Sequence, residues 1–363
     1  MTFEPGAEPE RGGPGSVVTF YSFKGGTGRT MALANVGWIL ASRGLRVLVV
    51  DWDLEAPGLH RYYHPLLVDP ELHSTDGLID LLRAYARQAL PSASGPTGQS
   101  PAAWLDEPGR LDGYICGLAL DLPPGGRLDF LPAGRQNAAY AAAVTSFNWR
   151  SFYHGRDIRG GEFLRELRER WARSYDYVLI DSRTGVSDTC GICTVLMPDT
   201  VIDCFTFSAQ NIRGGVDAAR AIAEAEERAI RVLPVPMRVE DAEQERLEAG
   251  RDFAREAFAP YLGRWLPGDR RAAYWADVEV PYKPFYAYEE VPATVADRPQ
   301  EARSLLNAFE RLAYWVTDGR VRSLRPLSSE TRRRLYGAYL RPVGAVPRQV
   351  FVSYAPEDRM WAE

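Results

Sequence analysis

The chain has 363 residues, 45% of them hydrophobic and 25% charged, with a formal net charge of -5. This is the composition of an ordinary globular protein with ample material for a core, and the weak negative balance gives no global pull towards nucleic acid or anionic membranes. No apolar run approaches the roughly 20 residues of a membrane-spanning helix, the N-terminus lacks a signal-peptide core, and the four cysteines do not make a disulfide framework in a chain this long, so a cytoplasmic protein with reduced thiols is expected.

Residues 1–15, rich in Pro, Gly and Glu, read as a disordered leader. The β-branched run Val17, Val18 and Thr19 opens a strand reaching Tyr21, and an apolar periodic segment follows from Thr30 to Ser42, closed by Gly44 as a helix C-cap. Between them lies Phe20 to Thr30, FYSFKGGTGRT, a strand-to-helix turn. Gly25, Gly26 and Gly28 let its backbone fold tightly and offer bare N–H groups to an anion, while the helix start adds its dipole and unpaired donors. A phosphate belongs there. The standard phosphate loop carries a Gly, four free positions and then Gly-Lys-Ser/Thr, its lysine reaching the β/γ-phosphates and its hydroxyl the Mg²⁺. Here Gly28 and Thr30 fit, Phe23 stands where the first Gly would be, Arg29 stands where the lysine would be, and an extra lysine, Lys24, lies at the front.

Arg46 to Asp51 is nearly all apolar, as in a strand buried on both faces of a parallel sheet. Strand, helix and strand within about 35 residues make a right-handed βαβ unit, which predicts an α/β fold with a doubly wound, mostly parallel sheet flanked by helices. The second strand ends in Asp51-Trp-Asp53-Leu-Glu-Ala-Pro-Gly58; ligands of such sheets sit beyond the carboxyl ends of the strands, so Asp51 and Asp53 either face the phosphates or cap a turn. Further along, Asp76 to Leu90 reads as an amphipathic helix, PSASGPTGQSP as a flexible loop, Arg127 to Ala133 as a strand, and Asn137 to Tyr153 and Glu162 to Ser174 as helices. Residues 74–127 suggest no chemistry.

Tyr177 to Asp181 is an apolar strand delivering an Asp at its carboxyl end, the Walker B arrangement, in which the carboxylate accepts from a water on Mg²⁺. Gly185 beyond it allows the hinge of a loop that senses a γ-phosphate. Val201 to Ser208 and Ile230 to Val235 add two buried strands around a helix from Gly214 to Arg228. Glu240 to Ala259 has the charge pattern of an exposed helix, Val278 to Tyr282 reads as the last strand and Gln300 to Thr317 as the last helix of the domain.

The KGGTGRT loop, the Asp53 segment and the Asp181 strand, in that order, resemble the deviant Walker A loop and switches of the ParA/MinD-type (SIMIBI class) ATPases, in a KGGxGR variant of their KGGxGK[ST] pattern, over residues 16–318. The resemblance implies ATP and Mg²⁺ as cofactors, with nucleotide held by Gly25, Gly26, Thr27, Gly28, Arg29, Thr30, Met31 and Arg238 and the metal by Thr30, Asp53 and Asp181. It implies catalytic roles for Lys24, Arg29, Asp53 and Asp181, with Asp53 orienting the attacking water and Lys24 crossing to the nucleotide of a second subunit, hence a nucleotide-dependent homodimer. Of the family's Asn-Arg adenine motif only Arg238 is present, which leaves the base open. Tyr282, Phe285, Tyr286 and Tyr288 either line a base pocket or pack as core or lid. Cys190 and Cys193 fit either a cluster shared across a dimer, as in nitrogenase iron proteins, or two small buried residues on a helix face; with no second CxxC pair the latter is preferred.

Residues 319–347 read as a linker with a short basic helix, Glu330 to Leu340, and residues 348–363, including VFVSYAPEDRMW, resemble the opening of a TIR domain too short to fold alone. The whole predicts a Mg²⁺-dependent ATP-binding protein, a slow ATPase because a bulkier guanidinium replaces the lysine, that acts as a nucleotide-controlled dimerisation switch for a C-terminal TIR effector in bacterial signalling or defence. The alternatives are a non-hydrolysing nucleotide-binding regulatory module, an iron–sulfur carrier and a DNA-partitioning ATPase; nucleic acid is not an expected partner.

Overall fold

A computed structural model of the chain describes residues 13–89, 100–155, 157–185, 191–225, 228–240 and 243–340. Most of the expected leader and of the PSASGPTGQSP loop, Cys190 and the TIR-like segment lie outside them. Among the described residues, β1 (Ser16–Tyr21), β2 (Arg46–Asp51), β3 (Cys116–Gly117), β4 (Arg127–Leu131), β5 (Tyr177–Asp181), β6 (Thr200–Phe205) and β7 (Arg231–Pro236) form one sheet in the order β3-β4-β2-β5-β1-β6-β7. Only the β3–β4 pair is antiparallel. The near-continuous apolar runs of β1, β2, β5, β6 and β7 are what a sheet covered on both faces requires.

Helices α1 (Arg29–Ala41), α2 (Leu78–Ala89), α3 (Gly160–Ser174), α4 (Ala209–Glu224), α5 (Gln244–Leu262), α6 (Leu305–Val316) and α7 (Ser329–Tyr339) supply the cover. One apolar core gathers residues of α1, α4, α5, α6 and α7, and the other those of α2 and α3. The sheet is therefore doubly wound, as the βαβ unit predicts. Helix α1 lies close on the sheet at Gly37, where a Cβ would stand 2.9 Å from Val49 Cγ1. Register fixes what the strands deliver: Asp181 lies beside Phe20 of β1 and beside Asp51 of β2.

Local side-chain chemistry shifts several element boundaries from their expected places. The helix expected over residues 137–153 is two, Tyr140–Thr145 and Trp149–His154, because the Asn148 side chain accepts from Ser151 N at 2.9 Å and starts a new one. Ser208 does the same for α4 and Ser304 for α6, so those helices begin at Ala209 and Leu305. The expected last strand at Val278–Tyr282 is an isolated parallel bridge, Val239 to Pro281, flanked by the hydrogen bond from Tyr282 N to Val239 O, 2.9 Å. Pro281 has no N–H to extend a ladder. Helix α7, expected as part of a linker, packs onto the domain: Leu335 and Tyr339 are buried, Tyr339 Oη donates to Tyr62 O at 2.6 Å, and Arg332 donates to Val295 O and Asp297 O. No helix among the described residues is long and apolar enough to cross a membrane.

Asp203, in β6, is wholly buried and neither carboxylate oxygen has a hydrogen-bond partner among the described residues. Burial pushes its pKa from 3.8 to about 7. The folded chain thus keeps this proton over a range in which the unfolded chain loses it, and stability falls as pH rises from about 4 to 7 and levels off above. Asp203→Asn should remove that slope, gaining on the order of 3 to 4 kcal/mol relative to wild type at pH 8 over its value at pH 4, as read by urea unfolding at the two pH values.

Candidate functional site

The chain leaves β1 at Tyr21, turns through residues 22–28 and enters α1 at Arg29. Gly26 and Gly28 have φ of 75° and 93°, the left-handed region that glycine adopts at no steric cost. No side chain caps the start of α1, which leaves its first N–H groups facing out of the loop. A Cβ placed on Gly25 or Gly26 would meet nothing within 4 Å. These glycines border a cavity of about 480 Å³ whose floor is the loop through Thr30 and Met31. Thr27 Oγ1 in that floor is buried without a hydrogen-bond partner among the described residues.

Beneath the cavity the side chains of the three strand ends meet. Arg29, 6% exposed, donates from Nε to Asp181 Oδ1 at 2.5 Å and from Nη2 to Asp53 Oδ2 at 3.0 Å, with Ser22 Oγ 3.5 Å from Nη1. Thr30 Oγ1 donates to the other oxygen of Asp181 at 2.7 Å. Burial works against the charge on Arg29, but Asp181 and Asp53 outweigh it and hold the guanidinium above its ordinary pKa. For Asp181 burial dominates and raises the pKa despite the Arg29 charge. The expected site residues Arg29, Thr30, Asp53 and Asp181 are therefore brought together, with Arg29, Thr30 and Asp53 in the cavity wall and the guanidinium turned onto the two carboxylates. A divalent ion between Thr30, Asp53 and Asp181 would share these oxygens with the guanidinium.

Asp51 turns away from the cavity. Its carboxylate accepts from Leu59 N at 3.1 Å and Asp53 N at 3.3 Å, which makes it the cap of the turn after β2, the second of its two expected roles. Gly185 has φ 79°, in keeping with a hinge, and Arg183 pairs with Glu55 to tie the loop after β5 to the loop after β2.

Lys24 is separate from the cavity. Its Nζ donates to Gln210 Oε1 at 2.5 Å on the exposed side of the loop, while Phe23, in the place of the usual first glycine, lies where a Cβ on Gly214 would be 2.2 Å from its ring. Arg238, with φ 54°, lies across the cavity, donating to Gly26 O at 2.9 Å and stacking 4.7 Å over the Tyr282 ring. Of the four aromatic candidates, Tyr282 and Tyr286 line the cavity, whereas Phe285 and Tyr288 are 39% and 86% exposed and do not. Cys193 is buried in the core beside α3. Tyr62, Met237, Lys283 and Glu290 also border the cavity. Their elements come from distant parts of the chain and carry no motif, so only the fold reveals them.

The model of the CobQ/CobB/MinD/ParA nucleotide binding domain matches residues 18–271. Among solved structures, the cell division ATPase MinD of Pyrococcus furiosus is 17% identical with a TM-score of 0.52, covering 84% of this chain and 99% of that one. MinD of Pyrococcus horikoshii OT3, complexed with Mg-ADP, is 19% identical with a TM-score of 0.51, covering 83% and 95%. The ATP complex of a McdA point variant from Cyanothece is 14% identical with a TM-score of 0.52, covering 87% and 99%. At these identities the likeness shows the fold. No curated protein sequence matches.

Truncating Arg29 would leave the buried Asp181 and the half-buried Asp53 without their cation. Arg29→Ala should cost about 3–5 kcal/mol in chemical unfolding at neutral pH, and acidification that protonates Asp181, whose pKa burial already raises, should shrink the deficit.

Proposed function

The chain belongs to the CobQ/CobB/MinD/ParA nucleotide-binding family, and from that membership we propose that it is an ATP-binding switch whose occupancy controls self-association. The observation that carries this reading is the glycine-bordered cavity at the uncapped start of α1, with the Thr27 hydroxyl buried and unpartnered in its floor. Phosphate would lie against the N–H groups of Gly25 to Thr30. Beside the loop, Arg238 bonds Gly26 O and stacks on Tyr282, and Tyr282 with Tyr286 in the cavity wall offers flat surfaces suited to a base.

Lys24 supports a dimer because it is held at the outer face of the loop, where a second subunit can meet it and its own cavity cannot. The proposed domain runs over residues 16–318, and the segment that follows, through α7, would connect it to a C-terminal TIR effector in bacterial signalling or defence. Hydrolysis is proposed to be slow. With Asp53 and Asp181 both held by Arg29, neither is free to orient an attacking water. That same pairing favours the second reading, a regulatory module that binds nucleotide without hydrolysing it. A buried Cys193 gives no support to an iron–sulfur carrier.

Sedimentation of the chain with ADP, ATP and a slowly hydrolysed ATP analogue tests the proposal. A dimer should form with ATP or the analogue and not with ADP, and Lys24→Ala should abolish the dimer while leaving ATP affinity within about threefold of wild type. A single-turnover assay then separates the two readings: phosphate release marks the ATPase, and ATP binding without release marks the regulatory module. A chain that binds no nucleotide overturns both.

A further inference from the structure

The cation of this site is built into the chain. Arg29 spans Asp53 and Asp181 with two N–H edges at 3.0 and 2.5 Å, and the remaining oxygen of Asp181 is taken by the Thr30 hydroxyl at 2.7 Å. Both oxygens of Asp181 and one of Asp53 thus have protein partners, and the guanidinium bridges the two carboxylates. A planar guanidinium suits the role because its rigid fork holds two carboxylates on separate edges in a fixed geometry, where a lysine ammonium is a compact point charge on a flexible stem. A divalent ion placed between the same oxygens would face the guanidinium charge at contact range, beside the buried Asp181.

We propose that Arg29 takes the place of the divalent metal here, neutralising Asp53 and Asp181 itself, so that the loop binds nucleotide phosphate without Mg²⁺. The inference rests on the reading of the cavity as a nucleotide site. It assigns Arg29 a positioning role: it fixes two carboxylates that would otherwise repel each other and the incoming phosphate. The anion itself is left to the loop amides, the Thr27 hydroxyl and Arg238. It also accounts for the pairing of the side chain, which from the first residue of α1 commits Nε to Asp181 and Nη2 to Asp53.

Calorimetric titration of the chain with ATP, once in excess Mg²⁺ and once in EDTA, tests this. Wild type should bind with affinities that agree within about threefold in the two media, whereas Arg29→Lys, which gives up the two-edged guanidinium contact and leaves room for a metal, should bind about tenfold or more tightly with Mg²⁺. Electron paramagnetic resonance with Mn²⁺ should show no protein-held ion in the wild-type ATP complex and a held ion in the variant. Wild-type affinity that rises about tenfold with Mg²⁺, or a variant as indifferent to metal as wild type, overturns the proposal while leaving the nucleotide reading intact. Absence of binding in both media overturns that reading and the proposal together. The two wild-type titrations decide the matter if the variant proves unfolded.

Discussion

Parallel register is the constraint from which the site follows. Because β5 runs between β1 and β2 with Asp181 level with Phe20 and Asp51, three chain segments must leave the middle of the sheet side by side at the strands' carboxyl ends. Each leaves with a different device: β1 with a glycine loop into α1, β2 with a carboxylate cap and then Asp53, and β5 with a buried carboxylate and a glycine hinge. The resulting concentration of acid under a helix start is unfavourable unless something positive is included. Arg29 supplies that charge from the first residue of α1.

The strands and the loop were legible in the sequence because both are local statements. A run such as Arg46 to Asp51 has the apolar continuity of a doubly covered strand, and glycines at 26 and 28 meet a backbone demand for positive φ. Helix limits were less legible, since Ser208, Asn148 and Ser304 compete with periodicity and win by capping. Arg29 shows the limit of motif reading. Its place in the loop pattern suggested contact with phosphate, but its direction depends on carboxylates 24 and 152 positions away in sequence, which no window on the chain displays. The same holds for the cavity wall at Tyr62 and Glu290, assembled from loops that share no motif.

Two buried acids of the sheet contrast with each other in a useful way. Asp181 was expected from its strand-terminal position and has partners on both oxygens. Asp203 sits in mid-strand, has none among the described residues, and holds its proton well above the ordinary carboxylate range through burial alone. A carboxylate at a strand end can recruit loop and helix partners; one inside the ladder is surrounded by groups already committed to the sheet and to apolar packing such as Phe258 and Gly215. Position within the strand, more than residue type, decides whether an acid becomes part of a site.

Helix α7 ties the distal end of the described chain to the cavity by two short routes. Tyr339 bonds the carbonyl of Tyr62, and Arg332 bonds the carbonyl of Asp297. Asp297 in turn accepts from Tyr286 Oη at 2.6 Å and from Leu306 N at 2.9 Å. Tyr62, Tyr286 and Leu305 all border the cavity, so α7 is fastened to its wall from both sides and not suspended beyond it. On the proposed function this matters for how a switch would reach an effector. Contacts this direct need no long pathway: a base that moved Tyr286 would act on the Asp297 hydrogen bonds that anchor the start of α6 and one side of α7. Residues that a composition-based reading assigns to a linker are, by their hydrogen bonds, part of the site's own frame.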